Sequence, residues 1–402
     1  MNQARIMLAG TSALVLMACN SQTETQAPKD SRYQETLLTQ LIDAKPGDVI
    51  TIPEGTYSFD RSLSLTVDGV TIRGAGMDKT ILSFKNQVQG AEGLLVTASN
   101  FTIQDLAIED SVGDAIKVNE GDNIIFRNVR TEWTNGPDTK NGAYGLYPVQ
   151  TTNVLIEGCV AIAAADAGIY VGQSKNVVVR NNRAQDNVAG IEIENTIGAD
   201  VYDNIATNNT GGILVFNMPN LTQYGADVRV FNNQVFENNT KNFGHKGTPV
   251  ASIPAGSGIV INSHDKIEIF DNDIRDNKTA NIIVSSIFTS NYAEGGMEET
   301  FDPYPEKISI HGNTYAGGGN SPDGFELKAL KTALFGLKGK LPDVLWDGYV
   351  NEKLESAQIC IQDKVDVLNA DMPGKNKNPR IENDPHACQL PPLPAISLAS
   401  AG

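Results

Sequence analysis

Histidine, cysteine and aromatic side chains are scarce in this chain, and positive charge is in deficit. Of 402 residues four are His and four Cys, and aromatics make up 6%. Lys and Arg number 31 against 48 Asp and Glu, a net charge of -17. Neutralising nucleic-acid phosphates takes clustered Lys and Arg, which are absent, so nucleic acid and anionic membrane surfaces are excluded as partners. The same charge counts against a polyanionic glycan unless a local basic patch or a bound calcium ion overrides the field. His245, His264, His311 and His386 are scattered without metal-ligand spacing, and no phosphate-cradling glycine loop occurs.

What is present is repetition. The segment 176–194, NVVVRNNRAQDNVAGIEIE, alternates apolar residues (Val177, Val179), turns at Asn181 and Asn182, passes Ala184, turns again at Asp186 and Asn187, and alternates once more (Ile191, Ile193). Period 2 means strands. Copies align at Ala75, Leu106, Val129, Cys159, Asn182, Asn204, Asn233, Asn272 and Asn313. Leu106 to Val129 is 23 residues and Asn182 to Asn204 is 22, so longer intervals read as that base period plus insertions. The residue before each copy (Gly74, Asp105, Asn128, Gly158, Asn181, Asp203, Asn232, Asp271, Gly312) is of a type that tolerates a left-handed backbone. A period this short, with strands and bends alone, fits one rung of three strands and predicts an all-β, single-stranded right-handed parallel β-helix. Stacked rungs place equivalent residues about 4.8 Å apart, so Asn182, Asn204, Asn233, Asn272 and Asn313 are expected to form a buried amide ladder. Earlier rungs put Leu106, Val129 and Cys159 there instead.

The N-terminus carries Arg5, an apolar run over 6–17 and then Leu16-Met17-Ala18-Cys19. The run reads as an export signal too short to span a membrane permanently. Its last four residues resemble a bacterial lipobox, which implies cleavage before Cys19, acylation of its sulfur, and attachment to the cell envelope through the lipid alone. Asn20 in place of Asp favours the outer membrane. The expected organisation is a signal peptide over 1–19, a polar tether over 20–32, a β-helix with an N-terminal cap helix over 33–320, and a C-terminal cap helix with a disulfide-linked tail over 321–402. A Gly-rich run beginning at Ala316 is expected to end the solenoid, with a closing helix over 325–337 from the spacing of Phe325, Leu327, Leu330, Leu334 and Leu337.

Lys45-Pro46-Gly47-Asp48 and Pro53-Glu54-Gly55-Thr56-Tyr57, after an amphipathic stretch bearing Leu37, Leu38, Leu41 and Ile42, resemble the N-terminal cap of the pectate-lyase-like β-helix superfamily. That superfamily includes polysaccharide lyases and epimerases, so an enzyme here would be of lyase or epimerase type. With the lipobox and the tail, the chain is similar to a family of exported bacterial parallel β-helix lipoproteins of unknown activity that occur with a second exported protein. Fold does not fix activity. The paired Asp residues, Asn-Thr-Asp and Gly-His-Gly of polygalacturonase-type β-helices are absent, which disfavours glycoside hydrolysis by paired carboxylates and leaves Glu192 and Glu194 as the pair to examine. Asp384-Pro385-His386 begins like the epimerase Asp-Pro-His-Glu, but Ala387 follows and the setting is a Pro-rich tail, so the match is chance.

Insertions point to the site. Segments 135–143 and 239–256 enter one strand column, and 216–225 and 285–306 leave it, which would wall a groove over that column's outward face. Alternation sends Ile116, Ile169 and Ile191 inward and leaves Lys117, Tyr147, Tyr170 and Glu192 outward, with Asp114 and Glu194 at strand ends. Aromatic rings pack on sugar faces, carboxylates accept from hydroxyls, and Lys or Tyr can move protons. His245 and His264 flank the same strands. The groove is therefore expected to bind or modify polysaccharide, with docking of the second exported protein as the alternative; no cofactor is called for, calcium being the one left open. Cys159 falls in an interior column and Cys19 is lipidated, so Cys360 and Cys388 are expected to pair across a segment too poor in apolar residues to fold alone.

Overall fold

The computed structural model describes residues 31–290, 296–354 and 356–398. Cys19, the signal segment and all but the last two residues of the tether lie outside them. Three short strands make a rung: Lys175–Arg180, Arg183–Gln185 and Ala189–Glu194 pair in parallel with Ile197–Tyr202, Ile205–Thr207 and Gly211–Phe216 one rung later. Among the described strands the sole antiparallel pairing joins Val367–Asn369 to Arg380–Ile381. Register carries Ile169 onto Ile191, Ile213, Ile259 and Ile282, all without solvent exposure, so the inward residues form one continuous apolar column. At about 25 cal/mol per Å² of apolar area, such columns hold the rungs together without any helix inside.

The recurring bend is left-handed in eight of its nine copies, with φ between +50° at Asn128 and +67° at Gly312. Gly74 serves close packing instead: a Cβ there would sit 2.2 Å from the Asp105 carbonyl oxygen. Inside the bend, each of Asn182, Asn204, Asn233 and Asn272 donates its Nδ2 to the Oδ1 of the next rung's Asn at 2.9 to 3.0 Å, ending at Asn313. The Cys159 amide donates to Asn182 Oδ1 at 2.8 Å, where the column changes from apolar to amide. A second ladder not anticipated above runs through Asn187, Asn209, Asn238 and Asn277 at the following bend, with Nδ2 to Oδ1 distances of 2.9 to 3.1 Å. Each member lies five residues after one of the first ladder, so the same spacing signalled it.

Helix α1 (Ser31–Ile42) lays Leu37 and Leu41 into the first rungs, and Tyr33 stacks on Tyr57 with ring centroids 4.0 Å apart. The other end differs from the sequence reading. The solenoid does not stop at the Gly-rich run: Val344–Trp346, Ile359–Ile361 and Val367–Asn369 add parallel strands beyond it, pairing with Ala280–Ser285, Ile308–His311 and Val344–Trp346. Three-residue strands separated by irregular loops carry too little alternation to be recognised. Helix α2 (Phe325–Phe335) does not close the end either. None of its residues is buried, Phe325 is 85% exposed, and Leu330 and Phe335 rest on the side of the solenoid against Ile283 and Leu345. The far end is instead built around the Cys360–Cys388 disulfide and His386, whose ring packs edge-on to Trp346 at 5.1 Å and whose Nδ1 lies 2.8 Å from the Ile359 carbonyl. The Asp384-Pro385-His386 triplet is thus structural. No helix among the described residues is long and apolar enough to cross a membrane.

Candidate functional site

The third strand of each rung presents one outward column. In register order it reads Lys117, Tyr147, Tyr170, Glu192, Leu214, Val260, Ile283, Leu345, polar in its first half and apolar in its second. Lys117 Nζ lies 4.9 Å from the Tyr147 ring centroid. Tyr147 meets Tyr170 edge-on at 4.9 Å, and Tyr144, absent from the sequence reading, completes the cluster at 4.5 Å from Tyr147 and 4.6 Å from Tyr170. Tyr144 was legible as an aromatic three residues before Tyr147 on the same strand, at the lip of an insertion. The Tyr170 hydroxyl donates to Glu194 Oε1 at 2.6 Å, and the Tyr144 amide donates to Asp114 Oδ1 at 3.3 Å. Beside Tyr144 lies Asp166, whose charge helps to raise the pKa of the Tyr144 hydroxyl, a fourth carboxylate that sequence reasoning missed because it sits in a turn just before its strand.

The outward residues are not all open. Tyr170 is 4% exposed and Glu192 1%, because the insertion 239–256 folds back over them, placing Phe243, Val250 and Ile253 on Tyr170, Leu214 and Phe216. Strand alternation fixes which side of the sheet a residue faces and is silent about what a loop lays on top. The expected open floor is therefore a cleft, half-open at Asp114, Lys117, Tyr144 and Tyr147 and closed at Glu192. Burial governs its electrostatics. It pushes Asp114 up to about 6, against the pull of Lys117, and Glu194 up to about 7, against the Tyr170 hydrogen bond. Asp166 and Glu192 are raised well above the usual carboxylate range by burial first, then by the charges of Glu194 with Asp114 and of Asp166 with Glu194 respectively. All three tyrosines are likewise held protonated by burial. The cleft thus stores carboxyl protons near neutral pH beside phenol donors.

The two histidines fall elsewhere. His245 is exposed on the insertion. His264 is fully buried, its Nδ1 3.0 Å from the Asp265 carbonyl and its pKa pushed down to about 4 by burial, so it serves packing under Gly225. A carboxylate grouping that could hold a cation such as calcium lies at the other edge of the strand column: Asp265, Asp302 and Glu306 have ligand atoms within 4.8 Å of one another. Internal donors already serve part of it, the Glu306 amide to Asp265 Oδ1 and Asn351 Nδ2 to Glu306 Oε1, both at 3.0 Å.

Fold and cleft together define a parallel β-helix with an insertion-walled carboxylate and tyrosine site. The family model described as right handed beta helix region matches residues 92–247 and 139–296, together more than half of the chain, and the chain belongs to that family. It is a right-handed parallel β-helix. No curated protein matches the sequence. Among solved structures, it is similar to the catalytic unit of a thermostable α-1,3-glucanase from Streptomyces thermodiastaticus at 18% identity, covering 81% of this chain and 49% of that one, with a TM-score of 0.50. It is also similar to the A-module of a mannuronan C-5 epimerase from Azotobacter vinelandii at 20% identity, covering 68% and 81%, with a TM-score of 0.49. At these identities the likeness is one of fold.

Proposed function

We propose that the cleft binds a polysaccharide and transfers protons on it, with Asp114 and Glu194 as the acid and base groups, Tyr144 and Tyr147 as the sugar platform, and Lys117 and Tyr170 as orienting donors. The observation that carries this reading is the cluster of Tyr144, Tyr147 and Tyr170, with ring centroids 4.5 to 4.9 Å apart, flanked by Asp114, which accepts from the Tyr144 amide, and Glu194, which accepts from the Tyr170 hydroxyl. General acid and base groups work best with pKa values near the working pH. Similarity in fold to polysaccharide-active proteins supports the sugar and leaves the reaction open. The cleft offers a single lysine and no arginine beside its four carboxyl groups, too little positive charge to pair the repeating carboxylates of a uronate polymer, so a neutral glycan suits it better. The lipobox resemblance supports a lipid-anchored protein of the cell envelope, with Cys19 as the acylated residue.

The test uses the soluble chain lacking its export signal on an array carrying both neutral and uronate glycans. Retention of a neutral glycan is expected, falling about tenfold in Tyr147→Ala, the loss of roughly one stacking contact. Asp114→Asn should keep binding and lose any bond rearrangement detected on the retained glycan. Retention of no glycan, or equal retention by Tyr147→Ala, would sink the reading. The scaffold alternative rests on α2, where Phe325 and Leu334 stand exposed with Leu337 just beyond, a patch that would suit a protein partner.

A further inference from the structure

The last described segment, 389–398 (QLPPLPAISL), follows the disulfide and forms neither helix nor strand. Its sequence dictates another form. Pro391, Pro392 and Pro394 fix their own φ, and Leu390, Pro391 and Leu393, each followed by a proline, are driven out of the helical region, so 390–394 is held as polyproline II. That helix has about three residues per turn. Burial follows the same period: Leu390, Leu393 and Ile396 are half-buried, while Gln389, Pro391, Pro392, Pro394 and Ala395 are exposed. One face of the tail therefore rests on the solenoid.

It rests on the outward face of the first strands of the rungs, where Asp200, Arg229 and Glu268 stand in register. Asp200 and Glu268 are 3% and 5% exposed, with Arg229 2.6 Å from the one and His311 Nε2 3.0 Å from the other. Each also accepts a tail amide, Glu268 Oε2 from Leu393 at 3.0 Å and Asp200 Oδ2 from Ile396 at 3.1 Å. The two periods agree. Three residues of polyproline II rise about 9.3 Å and two rungs about 9.6 Å, so successive turns of the tail meet every second rung in step. Gly198 leaves room for the side chain, since a Cβ there would stand 3.0 Å from Ile396 Cδ1. Tyr202, Phe231 and Phe270, two residues further along the same strands and so on the same face, stack at 4.8 Å, the kind of aromatic wall that proline-rich ligands use. Toward the N-terminal rungs the groove is lined by Val178, Leu155 and Ile125, consecutive in register.

We infer that this flank, on a different strand column from the polysaccharide cleft, is a recognition groove for a proline-rich segment of another protein, and that residues 389–398 are its resident competitor. The partner segment carries an apolar residue at every third position and two free amides three residues apart, because that is what the walls and the two carboxylates read. The tail is held lightly: none of its described residues is buried and none pairs in a strand. Leu155 and Ile125 stay half-exposed beside Leu398, so a longer segment of the same pattern gains contacts there and displaces it.

Fluorescence anisotropy with a labelled synthetic peptide of the sequence 389–398 tests this on the soluble chain. In Leu393→Asp/Ile396→Asp, two exposed-segment changes that set carboxylates against Glu268 and Asp200, the tail is released and the peptide should bind. The unaltered chain should bind it about a hundredfold more weakly, its own tail competing at an effective concentration of the order of millimolar. The peptide N-methylated at the positions of Leu393 and Ile396 keeps the extended form, lacks both donors, and should lose about tenfold or more on the released chain. A photoreactive leucine at the position of Ile396 should mark the strand Ile197–Tyr202. No binding to the released chain, equal binding to the unaltered chain, equal binding of the methylated peptide, or labelling elsewhere overturns the inference. Dimers of the unaltered chain that grow with concentration and vanish in the doubly substituted one would give the groove to a second copy's tail and overturn the assignment to another protein.

Discussion

Glu194 concentrates what burial does to a single residue here. In the unfolded chain its carboxyl titrates at the usual 4.5, and in the fold at about 7. Below 4.5 it is protonated in both states. Between 4.5 and 7 the unfolded chain releases the proton that the folded chain keeps, so stability falls as pH rises through that window and the loss is complete above 7. Asp166 and Glu192 are shifted in the same direction. Glu157, lowered by hydrogen bonds from Arg127 and Arg180, and Glu382, lowered by those from Asn369 and Arg380, act oppositely but below the window. His264 and His386, depressed by burial, oppose inside it, and Asp114, Asp265 and Asp347, raised by burial to about 6, 7 and 6, act with Glu194 and outnumber them. The melting temperature of the chain should therefore be lower at pH 8 than at pH 5, and Glu194→Gln, which keeps the acceptor for Tyr170 and removes the charge, should shrink that difference mainly by raising the value at pH 8. Identical pH profiles for the two proteins would mean that the cleft does not hold Glu194 protonated. Residues of this kind were half legible in the sequence. Alternation placed Lys117, Tyr147, Tyr170 and Glu192 on one outward column, because period 2 is a local property of the strand. Asp166 escaped because a turn residue carries no period; Tyr144, three residues before Tyr147, falls out of phase with the alternation and was legible only as an aromatic at the lip of an insertion.

At the scale of the element, the insertion 239–256 decides what the column can do. Break-points in the 22-residue period located it correctly, since a rung that is too long must loop outward. Where such a loop lies afterwards depends on side chains distant in sequence, here Phe243, Val250 and Ile253 against Tyr170 and Leu214. That is why an open groove was expected and a lidded cleft found. The solenoid columns do not pass through the insertion, so its docking is separable from the fold. Val250→Asp places a charge in a fully apolar contact and should cost the docked insertion about 3 kcal/mol. Trypsin cleavage at Lys241 and Lys246, both exposed on the insertion, should then quicken by roughly a hundredfold, with the main thermal transition unmoved. A fall in the main transition instead would make the insertion part of the solenoid core.

For the whole molecule, the question is how a stack of rungs ends. Each rung is stabilised by its neighbours on both sides, so a terminal rung lacks half its contacts and frays unless something covers or ties it. At the N-terminal end α1 lays Leu37 and Leu41 into the apolar core beside the first strands. At the C-terminal end the expected cover, α2, lies on the flank, and the last strands carry the end themselves, tied by Cys360–Cys388 with a sequence separation of 28. Closing a loop of that length stabilises by roughly 3 to 4 kcal/mol in the chain-entropy view. The tie also holds His386 under Trp346, and the chain beyond it runs back along the solenoid, where the Leu393 amide donates to Glu268 Oε2 at 3.0 Å and the Ile396 amide to Asp200 Oδ2 at 3.1 Å. Replacing both cysteines by serine should therefore loosen the structure from one end. In hydrogen exchange, protection should drop first in Val344–Trp346, Ile359–Ile361 and Val367–Asn369, while Lys175–Arg180 and Ala189–Glu194 in the middle of the stack keep theirs. Uniform loss across all rungs would mean that the solenoid unfolds as one cooperative unit and that the disulfide stabilises it globally rather than as an end clamp.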